Sequence, residues 1–198
     1  NMSQAAAIIP QPKTASDVEN FLEKRSSRTT LIEIAAAAFQ KIGGDLPKMT
    51  HPHMDNHDAG CVIQSFQFFQ KILADAIFTN FITIIGNYDS NKDQLKSWEN
   101  VTYSNIDEKN KVIAHLKKIR LRYAGARNNL VCHINDGLLN FNCDVPLTQI
   151  IEDINTLRDI FNKIRKANSL PIVISTIETH DHYPIAGLDI IFKALSQS

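Results

Sequence analysis

The chain is poor in the features that announce most chemistries. Its three cysteines, Cys61, Cys132 and Cys143, are an odd count in no paired spacing, which argues against a disulfide framework or a Cys-x-x-Cys redox centre and makes a reducing cytoplasm the simplest setting. Only seven glycines are present and none forms a phosphate-cradling loop, so a P-loop or dinucleotide fingerprint is excluded. No Ser-His-Asp constellation and no internal repeat is found, and no cofactor is expected. Formal net charge is zero, so no global field draws the chain to nucleic acid or membrane, and any such binding must come from a local patch. No uninterrupted apolar run reaches bilayer length. Ala5 to Ile9 is too short, and lacks the basic flank, for a signal peptide. What remains is 198 residues, 43% hydrophobic and 21% charged, a soluble globular composition with material for one domain and a substantial core.

The strongest periodicity runs from Asp107 to Asn135-Asp136-Gly137. At 100° per residue Val112, Leu116, Ile119, Tyr123, Ala126, Leu130 and Ile134 share one stripe, which predicts a long amphipathic helix. Asn105 or Asp107 can cap its start, Asp107 and Glu108 suit the positive end of its dipole, and Gly137 can supply a left-handed stop. Gly125, between Ala124 and Ala126, costs about 1 kcal/mol against alanine and is expected to permit a bend or a close crossing. The helix carries Lys109, Lys111, Lys117, Lys118, Arg120, Arg122 and Arg127 with no acid between Lys109 and Arg127. Such a strip suits a phosphate backbone, and Lys117, Lys118, Arg120 and Arg122 are the expected RNA contacts. An ordinary solvated helix face would carry the same residues.

The segment Arg127-Asn128-Asn129-Leu130-Val131-Cys132-His133 lies late in this helix. Arg127 and His133 flank the apolar stripe about 120° apart around the axis, so a second copy or a bend is needed to bring them together. An Arg, a polar residue and a His five residues beyond the Arg resemble the Arg-x(4 to 6)-His signature of the HEPN superfamily. The following Ile134-Asn135-Asp136 is similar to the abortive-infection AbiU-like branch, from which the chain departs at Asn129, where that branch often has Lys. The resemblance extends over residues 58 to 168, and its sharp part covers seven. It implies an all-α bundle, a homodimer with two Arg/His motifs facing one cleft, and metal-independent RNA cleavage in a bacterial defence or toxin system, with a possible antitoxin as partner. On that likeness Arg127, Asn128 and His133 are the candidate catalytic residues. An inactive relative that binds RNA, nucleotide or protein is the alternative.

Around this helix the chain reads as a flexible arm over 1–13 and one helical domain over 14–198. Ser16-x-x-Glu19 has capping-box spacing and predicts a short helix to about Ser26. A second helix follows from Thr30 to Ile42, stopped by Gly43-Gly44. His51, His53, His57, Asp55 and Asp58 crowd one predicted loop and could ligate a divalent ion, with Cys61 or His180-Asp181-His182 completing the set, though histidines beside Pro and Asp are ordinary loop residues. From Asp58 to about Tyr88 a helix carrying Val62, Phe66, Phe69, Leu73, Ile77, Phe81 and Ile84 is expected to supply the principal core, with Asp75 an isolated solvated acid on its polar side. Residues 94 to 101 predict a short helix around Trp98. Residues 146 to 168 predict a helix packed antiparallel to the organising one, Ile172 to Ile177 a short strand, and Pro184 to Leu195 a last helix or appended coil. The expected architecture is therefore an antiparallel all-α bundle.

Overall fold

The computed structural model describes residues 14–49, 55–86, 95–135 and 145–173; side chains 44–49, 56, 96 and 128–135 fall outside it. Among the described residues the chain is an all-α bundle of five helices: α1 (Ala15–Met49), α2 (Asn56–Ile85), α3 (Lys96–Glu99), α4 (Ile106–Asn135) and α5 (Leu147–Ala167). No strand occurs among these residues. Ile172 and Val173, the described start of the expected strand, are exposed and irregular.

The two expected N-terminal helices are one. Thr14 rather than Ser16 opens it, in a reciprocal box: the Thr14 amide donates to Asp17 Oδ2 at 3.0 Å and the Asp17 amide to Thr14 Oγ1 at 3.1 Å. The polar stretch Ser26 to Thr30, read as a break, is absorbed because Ser27, Thr29 and Thr30 turn their hydroxyls back onto the carbonyls four residues earlier. Burial of Leu22, Ile32, Ala35 and Ala36 continues the same inner face across it. Nor does Gly43-Gly44 stop the helix, which continues to Met49.

α1 and α2 pack side by side, α2 packs on α4, and α5 packs chiefly against α1, with a sparse seam between α4 and α5. α2 and α4 run antiparallel, with Phe78 and Phe81 against Tyr123, the latter stacked at 3.9 Å between centroids. The core was expected along the whole of α2, yet its fully buried residues run only from Ala74 to Ile85, with Phe66 and Leu73 partly buried against Ile42 of α1. Phe69 is 53% exposed, as are Phe68 at 59% and Ile72 at 50%. This apolar content makes α2 long and apolar enough, by length and composition alone, to cross a membrane, although Lys71 and Asp75 interrupt its apolar run. Core packing of Ala74 to Ile85 accounts for the half that is buried.

Trp98 anchors the long connection between α2 and α4, as its composition suggested. Its indole N–H donates to the Ile85 carbonyl at 2.9 Å, its ring stacks on Phe161, and Phe21 meets it edge-on at 5.0 Å. The Arg25 guanidinium lies 3.6 Å over Phe21 and donates to the Ile84 carbonyl at 3.0 Å. Burial first and Arg28 second lower its pKa to about 10, so it is still charged at neutral pH.

Gly125 has neither of the expected duties. α4 is unbroken through it, and a Cβ built there meets nothing within 4 Å. Gly125→Ala is therefore expected to stabilise the protein by about 0.5–1 kcal/mol through helix propensity and a stiffer unfolded chain, read as a higher denaturant midpoint with an unchanged slope. A loss of stability would mean that the glycine serves a contact outside this chain.

Candidate functional site

α4 starts where the sequence indicated. The Glu108 amide donates to Asn105 Oδ1 at 2.8 Å, so Asn105 is the cap, and Glu108 Oε2 accepts from the Ser104 amide at 3.1 Å. From there one continuous helix carries the motif to Asn135, so Arg127 and His133 share an element. Side chains Asn128 and His133 lie outside the described residues.

Arg127 is held at the α2–α4 seam. Its Nε lies 3.4 Å from Asp75 Oδ1, with 26% of the Arg127 side chain and 49% of the Asp75 side chain exposed. Asp75 is thus not the isolated acid that its polar surroundings suggested. Nothing within α2 could reveal this, because the partner is 52 residues away. At that exposure the pair orients the guanidinium more than it stabilises the fold.

The cationic strip divides into two rows once its helix is placed. Taking Tyr123 as zero at 100° per residue, Lys109 and Arg127 lie at about 40°, Arg120 at about 60° and Lys117 at about 120°, on the side turned toward α2. On the opposite side, Lys111, His115, Lys118 and Arg122 lie at about −120°, −80°, −140° and −100°, turned toward α5. Lys117 and Lys118 are exposed and Arg120 is half-buried. Of the four expected RNA contacts, Lys117 and Arg120 therefore share a side with Arg127, and Lys118 does not.

Arg122 is engaged elsewhere. Its guanidinium pairs with Asp153 of α5, a buried carboxylate that also accepts from the Tyr123 hydroxyl at 2.9 Å and from Gln149 Nε2 at 3.3 Å. In this structure its charge is matched by Asp153 at the α4–α5 seam. The hydrogen bond to Asp153 raises the Arg122 pKa above its ordinary value against the opposing effect of burial. Burial, and then Asp153, raise that of Tyr123 well above the tyrosine range. Tyr123 is fully buried and is a core residue.

The stripe Val112, Ile113, Leu116, Ile119, Tyr123 and Ala126 lies inside the bundle. Through Ala126 this stripe is closed by the chain's own helices. Residues His51 and His53 of the histidine-rich loop, and His180 and His182, lie outside the described residues. Asp55 caps α2, accepting from the Asp58 amide at 2.8 Å, and His57 Nε2 stands 3.8 Å from Cys61 Sγ on the next turn. Among the described residues no group of three His, Cys, Asp or Glu side chains could hold a metal ion.

A groove of about 570 Å³ opens between the first turns of α4 and the middle of α5, lined by Lys111, His115, Thr156, Asp159 and Lys163 among others. Acids Asp107, Glu108 and Asp159 outnumber its two lysines, so it has no preference for an anion, and it lies on the α5 side of α4, away from Arg127. No family model, curated protein or solved structure matches this chain.

Proposed function

We propose that the chain is a metal-independent endoribonuclease of HEPN type from a bacterial defence or toxin system, cutting RNA by attack of the ribose 2′-hydroxyl. The observation that carries this reading is the placement of Arg127, a half-buried guanidinium held by Asp75 on the unbroken helix that also bears His133. Such cleavage needs a group to take the 2′-hydroxyl proton near neutral pH and a fixed cation where negative charge grows on the phosphorus oxygens. Imidazole and guanidinium fit those tasks. His133 is assigned as general base, Arg127 as stabiliser of the phosphorane-like transition state, and Asn128 as a hydrogen-bonding residue that orients the phosphate or His133. Lys117 and Arg120, on the same side of α4 as Arg127, carry the strand by its phosphates.

The test is cleavage of mixed RNA by the purified protein in excess chelator. Persistent cleavage with products ending in a 2′,3′-cyclic phosphate is expected, and abolition by chelation would overturn the metal-independent assignment. In binding experiments Lys117→Gln and Arg120→Gln should each lower affinity and reduce the salt slope by about one, whereas Lys118→Gln should change neither. The resemblance further implies a homodimer, which must use surface other than the α4 stripe through Ala126. Light scattering at micromolar concentration decides between dimer and monomer. Cytoplasmic location and a neutralising partner belong to the same proposal.

The Arg127–Asp75 pair also favours a second reading. A guanidinium already matched by a carboxylate is a weaker electrophile, as expected of an inactive relative that binds RNA, nucleotide or protein. That reading predicts RNA binding without cleavage.

A further inference from the structure

The first half of α2 turns an apolar face to solvent that neither the core nor the ion pair explains. Phe68, Phe69 and Ile72 are each at least half exposed, and the two phenylalanine rings meet edge to face at 6.5 Å. On the helical wheel Phe68 lies about 20° from Asp75 and Ile72 about 60°, so these two share the face that holds Arg127, while Phe69, about 120° round, extends the patch away from it. Phe68 is about 10.5 Å along the axis from Asp75. The antiparallel register that sets Asp75 beside Arg127, and Phe78 and Phe81 against Tyr123, brings Phe68 and Phe69 level with the turn of α4 that carries His133.

Area and chemistry select the occupant. A stable interface buries about 800 Å² and roughly 20–30 residues on each partner, whereas this patch is three side chains wide and is followed along the helix by Ser65, Gln64 and Gln67. Two of its three members are aromatic, with Lys71 one turn from Phe68 and Arg127, oriented by Asp75, beyond it. Cations beside exposed aromatic rings suit a strand whose phosphates and unpaired bases must both be met. A second copy of the chain would be served as well by aliphatic residues and has no use for the lysine and arginine at the edge.

We propose that Phe68 and Phe69 form a base-stacking platform that holds unpaired bases of single-stranded RNA beside the phosphate position at Arg127. The proposal rests on the RNA-directed reading above and gives that site its substrate class: RNA with at least one unpaired base next to the contacted phosphate. Duplex RNA, whose bases are already stacked on one another, has no free face to offer.

The experiment uses a single-stranded 2′-O-methyl oligonucleotide containing 2-aminopurine, which lacks the attacking hydroxyl and so reports binding apart from cleavage. With the full chain, binding should quench the aminopurine fluorescence. Phe68→Leu/Phe69→Leu should remove the quenching and weaken binding about tenfold or more, while Phe68→Trp/Phe69→Trp should retain both. Leucine keeps the apolar bulk, so loss of binding in that variant reads the aromatic faces and not the fold or a greasy contact. Wild-type affinity and quenching in the leucine variant would overturn the platform. So would a wild-type dimer that Phe68→Asp converts to a monomer while the leucine variant stays dimeric, since the face would then belong to a second copy. Quenched binding without cleavage of natural RNA would sustain the platform and overturn the nuclease reading. No binding of the probe beside persistent cleavage of natural RNA would overturn the platform alone, and neither binding nor cleavage would overturn both.

Discussion

His133→Ala is expected to lower RNA cleavage by about 10²–10⁴, the contribution of a positioned general base, with helical content unchanged. Arg127→Ala is expected to lower it comparably, because a fixed cation at the developing phosphorane oxyanions acts only as that charge forms. The double variant should lose less than the product of the two, since base and cation serve one transition state. Equal cleavage by wild type and both variants would remove the assignment. Absence of cleavage in all three would pass the site to the binding-module reading. Asp75→Asn separates the two readings further. If Asp75 aims Arg127 at the phosphate, cleavage falls; if it only neutralises the guanidinium, RNA affinity rises and no cleavage appears.

The second large effect is structural and does not depend on any function. Asp153→Ala is expected to cost about 2–3 kcal/mol, because it strips a nearly buried tyrosine hydroxyl and a guanidinium of their shared acceptor. A fully buried pair would lose about 3–5 kcal/mol, and the Arg122 side chain, 21% exposed, recovers part of that from water. Asp153→Asn keeps an acceptor for Tyr123 and should fall between. A denaturant midpoint that moves by less than about 0.5 kcal/mol equivalent would show that the seam between α4 and α5 is held by other contacts.

The same network limits stability at high pH. The folded pKa of Tyr123 is raised, chiefly by burial, so folding favours its neutral phenol. An unfolded tyrosine loses its proton near pH 10. Above that pH the unfolded state binds fewer protons than the native one, and stability falls as pH rises by at most about 1.4 kcal/mol per unit for each such tyrosine. Tyr103, raised by burial and then by Glu108 and Glu99, adds the same sign. Arg25, depressed to about 10, opposes it above that pH. The readout is therefore the flattening of the alkaline slope in Tyr123→Phe and not the total slope.

Much of this protein is local and was legible as such. The α4 stripe, its Asn105 cap, the α5 periodicity and the anchoring of Trp98 follow from spacing within one segment, because helical geometry turns sequence intervals directly into faces. The placement of Arg127 and His133 on one helix follows in the same way. Three other features were set by partners distant in sequence. Asp75 looks solvated until α4 crosses it, Arg122 looks like one more cation in a strip until Asp153 arrives from α5, and Phe69 fits a core stripe until the bundle is seen to leave one face of the first half of α2 uncovered. Local hydrogen bonds also misled where they competed with the backbone: Ser27, Thr29 and Thr30 read as a break, but with Leu22 and Ile32 buried on either side their hydroxyls fold back and the helix runs on. Periodicity determines which residues share a face of a helix, whereas only packing decides which of those faces meets another helix, because that depends on elements whose register no single segment contains.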